Sequence, residues 1–207
     1  HSLLLAEADW SAASYAYALV ALLPLGTECY LPQLVLPSLQ GDSRYLPLYM
    51  ERLGVYTEIS EEKIRIYRGE QREGDCFEAD MSPCPDLVPA FVAALVGCGV
   101  AFRLRGIGHL RVKESDRLEV LGSEFAKLGV CLGIGQDELY WEGDLGVPRV
   151  RLSTPIIDPH QDHRIAMALA LMTQRVGRLR IQAPEVVAKS FPSYWTQLGK
   201  LFTVKPL

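Results

Sequence analysis

The chain has 207 residues, of which 49% are hydrophobic and 22% charged, so it can bury a sizeable core and does not have the composition of a disordered tract. A net charge of −4 argues against a general nucleic-acid binder and makes any anion site a local one. No apolar run approaches the roughly 18 residues of a membrane span, and the five cysteines (Cys29, Cys76, Cys84, Cys98, Cys131) contain no C-x-x-C pair, which predicts reduced thiols in a cytoplasmic protein. The opening His1-Ser2-Leu3-Leu4-Leu5-Ala6-Glu7 has no basic n-region, meets acidic residues early, and reads as the middle of a longer chain.

In chain order, Asp9 or Ser11 predicts an N-cap for a small-residue apolar helix ending near Leu23, before Pro24-Leu25-Gly26. A strand is expected over 27–31 and a second helix over 46–53, stopped by Gly54. Residues 55–59 and 63–67 read as a hairpin across an acidic turn. The pattern then recurs. Pro83, Pro85 and Asp86 lead an apolar helix over 87–96, and 100–105 alternates as a strand. A charged cluster, Arg111-Val112-Lys113-Glu114-Ser115-Asp116-Arg117-Leu118, runs into a helix whose Leu118, Leu121, Phe125 and Leu128 share one face. A hairpin follows over 130–132 and 138–141. A third pass reads as a strand over 149–152, the loop 158–162, a helix over 165–172 apolar on nearly all sides, a strand over 179–182 and a last helix from Val187 with Pro192 in its first turn.

The sequence therefore reads as an internal repeat of roughly β-α-β-α-β-β, in units of about 3–70, 74–145 and 149–205. Units this small cannot hold a core alone, which predicts one α/β (α+β) lobe with helices packed inside and small sheets outside. Equivalent helix starts should converge on one face, bringing together Lys113, Glu114 and Arg117, then Asp162, His163 and Arg164, then Lys189. Cations gathered at helix N-termini, where free N–H groups and the helix dipole favour anions, suit a small phosphorylated acid.

Leu110 to Arg117, Asp162-His163-Arg164-Ile165-Ala166-Met167 and Ala188-Lys189-Ser190-Phe191-Pro192 occur in this order in 5-enolpyruvylshikimate-3-phosphate synthases. Ala8-Asp9-Trp10-Ser11-Ala12-Ala13-Ser14-Tyr15, Ser38-Leu39-Gln40-Gly41-Asp42 and Pro85-Asp86 fit the same family, and the chain resembles its C-terminal lobe over the whole length. The resemblance implies a transferase that moves the enolpyruvyl group of phosphoenolpyruvate to the 5-hydroxyl of shikimate 3-phosphate, with release of phosphate and without a cofactor. It also implies an N-terminal lobe, absent from this sequence, as partner, and neither nucleic acid nor membrane. Carried over by motif, Arg117, Arg164 and Lys189 would bind phosphoenolpyruvate, while Lys113 and Asp86 would face shikimate 3-phosphate. Asp86 would lie near the attacking hydroxyl, Glu114 would shuttle the methylene proton, and Asp162 and His163 would support the site. Where some members have an asparagine four residues before the motif lysine, this chain has His109, which becomes a candidate contact to the shikimate phosphate.

Blander readings stand beside these. Asp86 could cap the helix that follows it, Lys189 could be a surface lysine, and Asp9 and Gln40-Gly41-Asp42 read as caps and packing turns. Asp158, His160, Asp162 and His163 have metal-ligand chemistry, but they crowd one loop without an evident further ligand, so no metal is expected. The alternative to an enzyme is an isolated lobe that folds but does not catalyse, with at most weak affinity for phosphoenolpyruvate.

Overall fold

The computed structural model describes residues 8–31, 33–60, 63–72, 74, 76–143 and 154–200. Helix α1 (Trp10–Leu22) starts where the Asp9 carboxylate accepts the Ser11 N–H at 2.8 Å. Strand β1 (Glu28–Leu31), α2 (Asp42–Arg52), β2 (Val55–Ile59) and β3 (Ile64–Arg68) follow, and the strands form an antiparallel sheet in the order β1-β3-β2. Helix α2 begins one turn earlier than the sequence pattern predicts and runs through Pro47, which removes only the bond to the Ser43 carbonyl near the helix start.

The middle segment comprises β4 (Cys76–Asp80), α3 (Val88–Cys98), β5 (Ala101–Arg105), α4 (Arg117–Lys127), β6 (Gly133–Ile134) and β7 (Glu138–Trp141). Its sheet has the order β4-β5-β7-β6, with β4 and β5 parallel, as a strand–helix–strand crossover requires. The strand expected over 130–132 forms at Gly133–Ile134 instead. Val130 is taken up by the helix end, its N–H bonding to the Phe125 carbonyl at 3.0 Å beside the left-handed Gly129. Short 3-10 turns at Pro85–Leu87 and Gly108–Val112 lead into α3 and towards α4.

The last segment holds β8 (Ile156–Ile157), α5 (His163–Leu171), α6 (Thr173–Val176), β9 (Arg180–Ile181), parallel to β8, and α7 (Tyr194–Leu198). The strand expected over 149–152 lies outside the described residues. The single helix expected from Val187 is split into a 3-10 turn at Pro184–Lys189 and then α7, because Pro192 disfavours helical geometry at Phe191. Lys189 therefore ends a 3-10 turn and does not open a helix.

The core is helical. Residues 88–96 of α3 are all buried, and α3 packs on α1 and α5, with the sheets on the periphery. An apolar sequence that repeats neither every second residue nor on one helical face is buried on all sides, and α3 takes the central place. Among the described residues no helix is long and apolar enough to cross a membrane.

Candidate active site

The starts of α4 and α5 and the 3-10 turn ahead of α3 meet on one face. They bring together residues that are dozens of positions apart in the chain. Arg117, the first residue of α4, lies at the base with a side chain only 1% exposed. Its Nε donates to Asp162 Oδ2 at 2.7 Å, Nη1 to Asp86 Oδ1 at 3.1 Å and Nη2 to Glu114 Oε2 at 2.7 Å. A buried guanidinium needs such partners, since desolvation otherwise opposes its charge.

Each carboxylate has further partners. Asp86 also receives Arg164 Nη2 at 2.9 Å, and Lys113 Nζ stands 4.0 Å from it. Glu114 receives Lys189 Nζ at 3.0 Å. Asp162 is wholly buried and caps α5 by accepting the Arg164 N–H at 2.9 Å, while its other oxygen takes the Ser115 hydroxyl at 3.2 Å as well as Arg117. Partial burial opposes charge on Glu114, but the hydrogen bond from Lys189, one from its own backbone and the charge of Arg117 outweigh this and hold its carboxyl at about 2.

Asp86 makes no side-chain bond to the helix it precedes, so the capping reading gives way to a bridge between Arg117 and Arg164. Lys113 and Lys189 sit at the open side, Lys189 with 62% of its side chain exposed. His163, the first residue of α5, is buried, and its Nδ1 is without a hydrogen-bond partner. Burial and the adjacent Arg164 lower its pKa and keep the ring neutral. His109 is exposed in the 3-10 turn at Gly108–Val112 and takes no part in this network.

Asp158 and His160 point elsewhere, Asp158 Oδ1 accepting the His160 N–H at 2.8 Å, and among the described residues no group of three or more His, Cys, Asp or Glu side chains is arranged to hold a metal ion. Gln40 serves packing, accepting the Trp10 N–H at 2.8 Å and donating to the Ala8 carbonyl at 2.8 Å. Asp42 accepts the Ser11 hydroxyl, and burial raises its pKa, as does the charge of nearby Asp86. Sequence reasoning missed two contributors. Ser115 lies inside the charged motif, and Tyr15 is buried with its hydroxyl 3.5 Å from the Arg164 carbonyl. The motif stretches containing them were the only signal, because neither residue type announces such a role.

The helix starts of this α/β lobe pool cations and carboxylates over an open face, and comparison with known proteins gives the family. The family model for EPSP synthase (3-phosphoshikimate 1-carboxyvinyltransferase) matches residues 3–198, and the chain belongs to that family. It is 43% identical over 197 residues to the 3-phosphoshikimate 1-carboxyvinyltransferase of Syntrophobacter fumaroxidans, covering 94% of this chain and 44% of that protein. To the enzyme of the same description from Bacteroides fragilis it is 41% identical over 199 residues, covering 94% of this chain and 46% of the relative. The fold is similar to an EPSP synthase structure from Acinetobacter baumannii, with a TM-score of 0.66 at 24% identity over 94% of this chain and 46% of the other. The chain thus spans less than half the length of the relatives it matches.

Proposed function

We propose that this chain is the C-terminal lobe of a two-lobed enzyme of the cytoplasm, completed by its own N-terminal lobe. The enzyme transfers the enolpyruvyl group of phosphoenolpyruvate to the 5-hydroxyl of shikimate 3-phosphate and releases phosphate. One observation carries the reading: Arg117, Arg164, Lys113 and Lys189, from three separate segments, close around Asp86 and Glu114 on one open face. The three β-α-β-α-β-β units are part of the same proposal.

The residues divide the work. Arg117 keeps Nε on Asp162, so the guanidinium stays in place when its other nitrogens change partner. Phosphoenolpyruvate takes Nη1 and Nη2 of Arg117, together with Arg164 and Lys189, once Asp86 and Glu114 turn away. Asp86, released towards shikimate 3-phosphate with Lys113 beside it, accepts the proton of the 5-hydroxyl as that oxygen attacks C2 of phosphoenolpyruvate. Glu114 delivers a proton to C3. In the second step Glu114 takes a proton back from C3 as the C2–O bond to phosphate breaks, and the cations stabilise the departing anion. Asp162 and the neutral His163 support the site from beneath. His109, exposed on the 3-10 turn at Gly108–Val112, contacts the shikimate phosphate from the solvent side.

In the ion-paired resting state Glu114 is ionised and cannot donate a proton. Substrate that takes over Lys189 and Arg117 removes the interactions that keep its pKa low, so binding itself arms the acid. The test is Lys113→Ala and Glu114→Ala in the complete enzyme, with phosphate release followed at saturating substrates. Turnover should fall by about 100-fold or more while circular dichroism shows both variants still folded at the assay temperature. Near-parental turnover in both variants would sink the assignment of roles.

A further inference from the structure

Outside the site, α4 buries a second carboxylate. Glu124 is 1% exposed and lies seven residues, two turns and about 10.5 Å, beyond Arg117 on the same side of the helix. Its pairing with Lys127 Nζ at 2.7 Å would be an ordinary surface contact if it ended there. However, Glu124 Oε2 also accepts the backbone N–H of Asp158 at 3.0 Å, and His160 Nε2 stands 3.6 Å from Oε1. A buried carboxylate that reaches across to another segment's backbone holds that segment.

That segment needs holding. His160 and Gln161 have φ of 52° and 62°, two consecutive non-glycine residues in left-handed geometry, which L-residues adopt at a cost. The loop they form ends at Asp162, whose carboxylate holds Arg117 and whose helix carries Arg164. The loop is thus fixed to α4 at both ends, by Glu124 at Asp158 and by Arg117 at Asp162.

We propose that Glu124 is a positioning residue of the site: its carboxylate maintains the 158–162 loop in the conformation that presents Asp162 to Arg117 and Arg164 to Asp86. The consequence for substrate rests on the function proposed above, whereas the clamp itself does not.

The test uses Glu124→Ala and Glu124→Gln. Gln can still accept the Asp158 N–H, and it serves as the readable variant if Ala does not fold. In this chain, amide hydrogen exchange over 158–164 should accelerate by about tenfold or more in Ala, with exchange over 55–68 and 88–98 unchanged and with Gln closer to the parent. In the complete enzyme the KM for phosphoenolpyruvate should rise by about tenfold in Ala with a smaller change in kcat, and Gln should recover most of it. Unchanged exchange over 158–164, loosening spread evenly over all three stretches, or local loosening with an unaltered KM would each overturn the positioning role. An unmutated complete enzyme without turnover would overturn the enzymatic reading instead, and the exchange measurement alone would then decide the clamp.

Discussion

Arg117 is bonded through each guanidinium nitrogen to a different carboxylate, two of them from other segments of the chain. Removing it would leave Asp162 charged and buried, the most costly kind of loss in a core. The pairing of Glu114 has a consequence for acid stability. Its folded pKa of about 2 lies below the ordinary glutamate value of about 4.3, so the unfolded chain binds the proton more readily. The stabilisation is fully present above about pH 4.3 and is lost as pH falls through about 2. Glu114→Gln should therefore flatten the fall in unfolding midpoint between pH 4.5 and 2.5, and an unchanged slope there would show that the ion pairs contribute nothing. At this scale the motif types were legible from the sequence, but the partner of each was not. Nothing in Pro85-Asp86 says whether its carboxylate caps a helix or bridges two arginines, because that choice is made by residues 31 and 78 positions away.

The helices were the most legible elements, since α1, α3, α4 and α5 each combine a long apolar pattern with a cap or a glycine stop. Short elements were less so. Val130 has the side chain of a strand residue yet closes α4, and Lys189 was expected at a helix start that Pro192 moves downstream. Both cases turn on backbone hydrogen bonds that compete within a few residues, where side-chain periodicity has no power to choose. The turn from β5 towards the charged motif depends on Gly106, at φ 75°, where a Cβ would run into the Asp80 carboxylate and the Ser82 side chain. Gly106→Ala should destabilise the chain by roughly 1–3 kcal/mol through left-handed strain and that clash. Chemical denaturation measures it, and a midpoint equal to the parent's would show that the turn relaxes freely.

Taken whole, the described residues form a buried helical core beneath an outward-facing cluster of charged side chains. The core residues of α1, α3 and α5 are almost entirely excluded from water, so this chain should unfold in a single cooperative transition. The site faces outward with Lys189 well exposed, and the chain spans less than half of its relatives. On the proposed two-lobed reading, phosphate release from phosphoenolpyruvate and shikimate 3-phosphate should stay at background with this chain alone and appear when the N-terminal lobe is supplied. Turnover by the chain by itself would show that one lobe suffices. The fold class and the family were legible because several weak motifs fall in one order along the chain, and order is what a sequence displays best.

The charge balance of the resting face bears on selectivity. Lys113, Arg117, Arg164 and Lys189 are set against Asp86, Glu114 and Asp162, so much of the positive charge of this face is balanced within it. On the function proposed above, a lone orthophosphate or sulfate would replace one carboxylate and leave the other ion-paired. A molecule with a carboxylate and a phosphate a fixed distance apart can replace both at once. On that proposed function, the acidic residues would act as a filter that favours a molecule carrying both a carboxylate and a phosphate over anions with a single charged group.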